Sequence, residues 1–384
     1  MDKKFVMGIA AMAALTLVSC SSDDLDSFSD NSSKNEAISF DGYLGRSAVA
    51  VNGTRGSEET VNTLKTKGFG VFGKYSKDAT TVYGNNLFEN QLVTYDKSAT
   101  PAKWTYSPLK FWPSDGHIDF LAYAPYDKNT TLTDGSKINN FIVSKTITDQ
   151  KDLLWTNATS SISPDLTSTK EKVKFQFHHA LSRLGYTVKL SGNYSSDKVT
   201  FTLKKITLAG SPDENTKAFY EKGTIDLAKT GTKEELSKTN TPTGLWNAAT
   251  GKQNFTWFEG SYIVKDSNPK HPTNSADEDY SKKDYLFVIP QDFSSTADGA
   301  DKLYVIVEYD VTYKSGTPST TITNTVYKKL PIKFEQGKAY NLNLTIGLPI
   351  EFDIDVTTGV EDWTNDSDNK ITDIPFDSWD DIKH

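Results

Sequence analysis

Cysteine is all but missing from the 384 residues: Cys20 stands alone, so no disulfide within the chain can brace the fold. Histidine is scarce as well. His178 and His179 are adjacent, and on an extended strand they point to opposite faces. His117, His271 and His384 lie far off in sequence, so no Cys/His cluster of metal-ligand spacing exists and no metal site is expected. An excess of basic residues is also lacking. A net charge of -8 and a pI near 5.3 exclude a nucleic-acid surface, because phosphate binding needs clustered Lys and Arg. The pairs Lys204-Lys205 and Lys328-Lys329 read instead as charges that keep edge strands apart. The motifs of common chemistries are missing too: no G-x-S-x-G elbow, H-E-x-x-H pair or C-x-x-C occurs. Gly68, Gly70 and Gly73 have the spacing of a dinucleotide loop, but they open an apolar strand pattern with no helix behind it. Asp and Glu are plentiful and none is singled out as half of a glycosidase-like pair. The expectation is a protein that is not an enzyme and carries no cofactor.

What the chain does have is β pattern. Aromatics make up 12% of it, and short apolar runs are punctuated by Thr, Ser, Asn and Gly. The clearest stretch runs from Tyr340 to Val356, where Tyr340, Leu342, Leu344, Ile346, Leu348, Ile350, Phe352, Ile354 and Val356 alternate with polar residues, Gly or Pro. Period-two alternation puts one apolar and one polar row on opposite faces of a strand. At roughly 3.3 Å per residue the run would span on the order of 55 Å, about three ordinary strands. Gly347 and Pro349 therefore mark a corner. Tyr340 to Ile346 is assigned to the chain's own sheet, and Ile350 to Val356 is expected to be available to a neighbour. Leu303 to Tyr313 alternates almost as cleanly. Further strands are expected over Ala37 to Leu44, Phe69 to Tyr75, Leu87 to Tyr95, Trp104 to Phe111, His117 to Tyr126 and Phe141 to Ile147. A strand pair is expected over Val173 to Leu190, and later strands over Val199 to Leu208, Gly223 to Leu227, Phe255 to Val264, Tyr285 to Pro290 and Ile322 to Phe334. In His117 to Tyr126 the alternation sets Ile118, Phe120 and Ala122 on one face and Asp119, Leu121 and Tyr123 on the other. The rings between Trp104 and Tyr126 suit a core better than a sugar-binding platform, although they keep a glycan-binding reading open.

The amino-terminal segment reads as an export signal. Lys3 and Lys4 precede an apolar run from Phe5 to Val18 that ends in Leu17-Val18-Ser19-Cys20, a signal peptide over residues 1–19 with a lipoprotein box. The run is too short for a dependable membrane span. Cleavage before Cys20 would leave the thiol lipidated and the new amino terminus carrying a palmitate-type acyl chain, tethering the protein to a membrane. Residues 20–36, rich in Ser, Asp and Asn, read as a flexible tether. Two sandwich-sized blocks follow, 37–182 and 183–363, and then an acidic tail, 364–384. Between the first strand and the rest lie Arg46 and Arg55 in polar surroundings, sites where a trypsin-type protease could act.

Taken in order, several short motifs resemble the fimbrillin, or Mfa-like, pilin lipoproteins of type V pili. They are Trp104 with Pro108 and Trp112-Pro113; Phe120-Leu121-Ala122-Tyr123-Ala124-Pro125-Tyr126; Asp152-Leu153-Leu154-Trp155; and Phe177-His178-His179-Ala180-Leu181-Ser182-Arg183-Leu184. Phe287-Val288-Ile289-Pro290-Gln291, Gly337-Lys338-Ala339-Tyr340-Asn341-Leu342-Asn343-Leu344 and Val360-Glu361-Asp362-Trp363 complete the set. Ser21, Ser22, Asp23, Asp24 and Asp26 resemble the acidic signal that sends some lipoproteins to the cell surface. The resemblance implies two transthyretin-like β-sandwich domains, a lipid anchor in the outer membrane through Cys20, and later residence in the fimbrium. It also implies that an arginine-specific protease, cutting at Arg46 or Arg55, removes the strand carrying Ile38, Phe40 and Leu44. The groove left behind would take a donor strand from a neighbouring pilus subunit, drawn from Ile350, Phe352, Ile354, Val356, Val360 and Trp363, with a continuation through Ile371, Ile374, Phe376 and Trp379. Other pilus subunits are thus the implied partners, with a host or bacterial surface ligand as a further one. The rival reading is a glycan-binding lipoprotein that stays anchored.

Overall fold

Long alternation becomes strand almost everywhere it occurs. The structure, a computed structural model, describes residues 37–44, 59, 61–78, 81, 83–113, 115–161, 172–228, 245–265, 285–315, 317–348 and 350–358. In chain order the elements are β1 (Phe40–Leu44), α1 (Val61–Lys67), β2 (Phe69–Ser76), β3 (Asn85–Asp96), β4 (Lys103–Thr105), β5 (His117–Ala124), β6 (Lys137–Ile142), β7 (Leu154–Ser161), β8 (Val173–His179), β9 (Ser182–Leu190) and β10 (Val199–Ala209). They continue as β11 (Phe219–Asp226), β12 (Trp246–Gln253), β13 (Phe255–Val264), β14 (Leu286–Val288), β15 (Gln291–Asp292), β16 (Tyr304–Tyr313), β17 (Thr320–Lys329), β18 (Lys333–Phe334), β19 (Ala339–Gly347) and β20 (Glu351–Thr358). The protein is all-β, as its composition requires.

The first eight strands, β6 excepted, form a seven-stranded sheet in the order β1-β8-β7-β5-β2-β3-β4. It curls until its first and sixth strands face each other, with the Phe40 and Phe88 rings 5.4 Å apart. All seven strands send side chains into one buried cluster, centred on Phe40, Phe69, Phe88, Phe120, Phe175 and Phe177. The two faces of β5 separate as the alternation says they should. Ile118, Phe120 and Ala122 join this cluster, whereas Leu121 and Tyr123 join a second. The rings of Trp104 to Tyr126 are therefore mostly core: Trp104, Trp112, Phe120 and Tyr123 are buried.

The second cluster lies between two four-stranded sheets, β13-β10-β16-β17 and β14-β9-β19-β20. On β16 the row Val305, Val307, Tyr309 and Val311 is buried, and Leu303 just before it continues the row. Tyr186 of β9 and Trp257 of β13 meet edge to face at 4.9 Å, which locks one sheet against the other. Burial of the Tyr309 ring pushes its hydroxyl up to about 12. Two small sheets, β12-β11-β6 and β15-β18, complete the architecture. Strand β6 comes from the first half of the chain and pairs with β11 of the second, which ties the halves together.

Local departures from the sequence reading have physical reasons. Trp104 to Phe111 yields only the three residues of β4, because the chain then turns to run past the residues in front of β1. The strand expected over Phe141 to Ile147 lies earlier, as β6. Gly68 to Gly73 is not a phosphate loop: β2 lies between β3 and β5 and is paired to both.

Candidate assembly site

Strand β1 is the outermost strand of the seven-stranded sheet, and it is held on one side only by regular pairing. It runs parallel to β8, with Phe40 opposite Val173, Gly42 opposite Phe175 and Leu44 opposite Phe177. The sheet's curl gives it a second flank. Ile38 donates its N–H to the carbonyl of Lys110 at 2.8 Å, its own carbonyl accepts from the Tyr106 hydroxyl at 2.7 Å, and Ala37 bridges to Phe111. The three residues expected to form a displaceable apolar row, Ile38, Phe40 and Leu44, are all buried on one face. Phe40 carries the most contact. Its ring lies 5.4 Å from Phe88, 5.3 Å from Tyr106, 5.7 Å from Phe120 and 5.6 Å from Phe175. Each of the three apolar side chains contributes about 1.5–3 kcal/mol by burial. Removing β1 would open an apolar trough and leave the edge of β8 without its partner, a strong invitation to another strand.

Gly42 shapes the trough: it falls in the alternating row with Ile38, Phe40 and Leu44, but alternation alone does not say why the position must be small. A Cβ there would lie 2.8 Å from Cε1 of Phe69 and 3.4 Å from Cε2 of Phe177. The row therefore reads large, large, minimal, large. On the opposite face Tyr43 is 44% exposed, and Leu109 and Phe111 beside the site are exposed as well.

Glu59, downstream of β1, is held by the sandwich. Its N–H donates to Oδ2 of Asp152 at 2.9 Å, and the same oxygen is 2.8 Å from Nδ1 of His179. Lys67 pairs with the Glu59 carboxylate. Burial raises the Glu59 carboxyl above its ordinary range, against the pull of Lys67. Two motif residues noted for their order along the chain, Asp152 and His179, thus share one task, fastening the chain where it re-enters the sandwich. Glu59 itself gave no sequence signal beyond its place near an arginine.

The proposed donor residues divide. Phe352, Ile354 and Val356 are buried, and β20 pairs antiparallel with β19, setting them opposite Ile346, Leu344 and Leu342. Among the described donor residues, only Ile350, at the turn, is exposed. The segment expected to be free for a neighbour is here the last strand of the chain's own sheet, because its apolar row finishes the core that β19 begins. Gly347 does make the corner: a Cβ would collide with Oγ of Ser191. Leu348 donates its N–H to the Tyr194 hydroxyl at 2.9 Å, and Lys328 bonds Asp353 at 2.6 Å. Cys20, Arg46, Arg55, Val360 and Trp363 lie outside the described residues. Among the described residues no group of three His, Cys, Asp or Glu could hold a metal ion, and no helix is long and apolar enough to cross a membrane.

Arginine use narrows the protease question. Of 42 Lys and Arg residues only three are arginine: Arg46, Arg55 and Arg183. Arg183 is buried, with its guanidinium 4.2 Å from the centre of the Tyr285 ring. The other two both fall between β1 and Glu59.

Packed sheets among the described residues, with β1 at the edge of the seven-stranded sheet, define an all-β sandwich class of protein. The chain belongs to the fimbrillin-like family, whose model matches residues 54–363. It is a structural protein rather than an enzyme, in keeping with that family. A fimbrial protein from Bacteroides vulgatus shares its fold, with 21% identity over 84% of this chain and 98% of that one, at a TM-score of 0.58. Candidate cell adhesion proteins from Bacteroides uniformis and Bacteroides ovatus are also similar. Their identities are 18% and 15%, over 87% and 86% of this chain and 100% and 98% of theirs, with TM-scores of 0.41 and 0.43. No curated protein matches the chain. Strand β1 precedes the matched span, so its reading stands on geometry.

Proposed function

We propose that this protein is a pilus subunit that is exported as a lipoprotein, held at the outer membrane through Cys20, and assembled at the cell surface by protease-triggered β-strand exchange. Block 37–182 is the acceptor domain and block 183–363 follows it as a second sandwich. An arginine-specific protease cuts at Arg46 or Arg55 and so separates β1, with the lipid, from the body of the subunit. A strand from another pilus subunit then fills the trough. The observation that carries this reading is the position of β1: an edge strand with a buried row, separated in sequence from the next described residue, Glu59, by the segment holding both candidate arginines. Glu59 fits the same scheme. It lies four residues beyond Arg55 and bonds Asp152 at 2.9 Å, so a cut at either arginine leaves the anchor with the sandwich. The aromatic stretch that motivated a glycan-binding reading is mostly core, and no other observation favours that alternative.

The test uses the chain from Ser21 onward, digested with an arginine-specific protease and run on a gel in SDS without boiling. Ladders of resistant oligomers are expected. Clean cleavage that leaves only monomer contradicts strand exchange.

A further inference from the structure

Most of the large apolar side chains exposed among the described residues stand singly along the chain, and scattered residues of that kind need no explanation. Leu109 and Phe111 are the exception. Each is 47% exposed, and a single residue separates them. We infer that Ser107 to Phe111 is a membrane-docking loop, which sets Leu109 and Phe111 into the lipid surface that holds the uncleaved protein. This rests on the lipid anchor proposed above and is independent of strand exchange.

The loop is built to hold these side chains out. The Tyr106 hydroxyl accepts from the Lys110 N–H at 3.3 Å, which closes the segment on itself, and donates to the Ile38 carbonyl at 2.7 Å. Nε2 of Gln91 donates to the Ser107 carbonyl at 3.2 Å. Trp112, the next residue after Phe111, is buried, with its ring 6.2 Å from that of Phe120. A loop tied at both ends has little freedom left to lose when it docks.

Its position argues for lipid as the occupant. Ala37 bridges to Phe111, and the Ile38 N–H donates to the Lys110 carbonyl at 2.8 Å. The chain therefore comes onto the sandwich from Cys20 beside this loop. Even fully extended, the stretch from Cys20 to Ala37 reaches about 60 Å at most. Two apolar side chains are too few for a protein partner, since such interfaces bury about 800 Å² on each side. They suffice for a body already tethered to a membrane, where a second weak contact adds to the lipid. Lys110, between them, supplies a cation of the kind that reaches headgroups from an apolar segment. The lipid keeps the protein at the membrane, and the loop sets how the body sits on it.

The test tethers the chain from Ser21 to phosphatidylcholine vesicles through an added amino-terminal histidine tag and a nickel-chelating lipid, so that it does not depend on lipidation of Cys20. This chain has no cysteine of its own. Leu109→Cys carries a fluorophore in one sample, and Ile322→Cys, at a residue 49% exposed in the second half of the chain, carries it in the other. Brominated phosphatidylcholine should quench the probe at position 109 at least threefold more than the probe at position 322. Adding Phe111→Ser to Leu109→Cys should remove most of that difference. Equal quenching at the two positions would overturn the docking loop and leave the lipoprotein reading standing. Weak quenching by brominated lipid, with position 109 also shielded from aqueous iodide, would overturn it by showing that protein covers the loop. An unlipidated Cys20 in protein recovered from cells is a separate failure, which removes the proposed anchor and with it the reason for a docking loop.

Discussion

At Phe40 four aromatic rings close around one side chain of a five-residue edge strand, so a large share of β1's hold on the sheet passes through a single residue. Phe40→Ala should cost about 3–5 kcal/mol, read as a lower urea midpoint. Gly42→Leu should cost about 1–3 kcal/mol by overpacking against Phe69 and Phe177, and by the same steric rule it should speed the release of β1 after cleavage. Glu59 supplies a pH signature. Its carboxyl is raised by burial, so the folded protein binds more protons than the unfolded chain in the interval above the ordinary carboxylate value. Its contribution to stability is therefore largest at low pH and is lost as pH rises through the raised value. Glu59→Gln should remove that loss: thermal melts at pH 5 and pH 8 should differ less in the variant than in the parent. At this scale the sequence showed the buried row Ile38, Phe40 and Leu44, because strand periodicity is local. It did not show why Gly42 must be small, nor the role of Glu59, because both depend on Phe69, Asp152 and His179, residues brought close only by folding.

Among the elements, those with long unbroken alternation were legible: β16, β19 and β20 fall where period two places them. Strand β7 was missed, since from Thr156 to Ser161 it has no apolar residue larger than Ala158 and follows its neighbour β5 instead of a pattern of its own. Helix α1 was missed because it buries one residue, Leu64, too little to set a helical period. The corner at Gly347 was legible, but its consequence was not. The turn brings β20 back onto β19, since the row Phe352, Ile354 and Val356 has a core to fill in its own molecule. The Tyr194 hydroxyl holds that turn through the Leu348 N–H. Tyr194→Phe should cost about 0.5–1.5 kcal/mol, and hydrogen exchange should quicken at the amides of β20 while those of β16 stay protected.

At the scale of the whole molecule, β1 is one edge of the seven-stranded sheet and the segment after it carries most of the chain's arginine. A chain that uses lysine almost everywhere keeps two of its three arginines between β1 and the Glu59 anchor, and buries the third against Tyr285. Digestion of the folded chain with an arginine-specific protease should therefore cut only after Arg46 or Arg55 and leave Arg183 intact until the protein unfolds. The central claim, that loss of the first strand turns an anchored lipoprotein into a pilus subunit, is tested most directly by the amino-terminal residue of the protein recovered from pili sheared off intact cells. Ser47 or Gly56 is the predicted residue. A lipidated Cys20 at the start of the polymerised subunit would contradict the account.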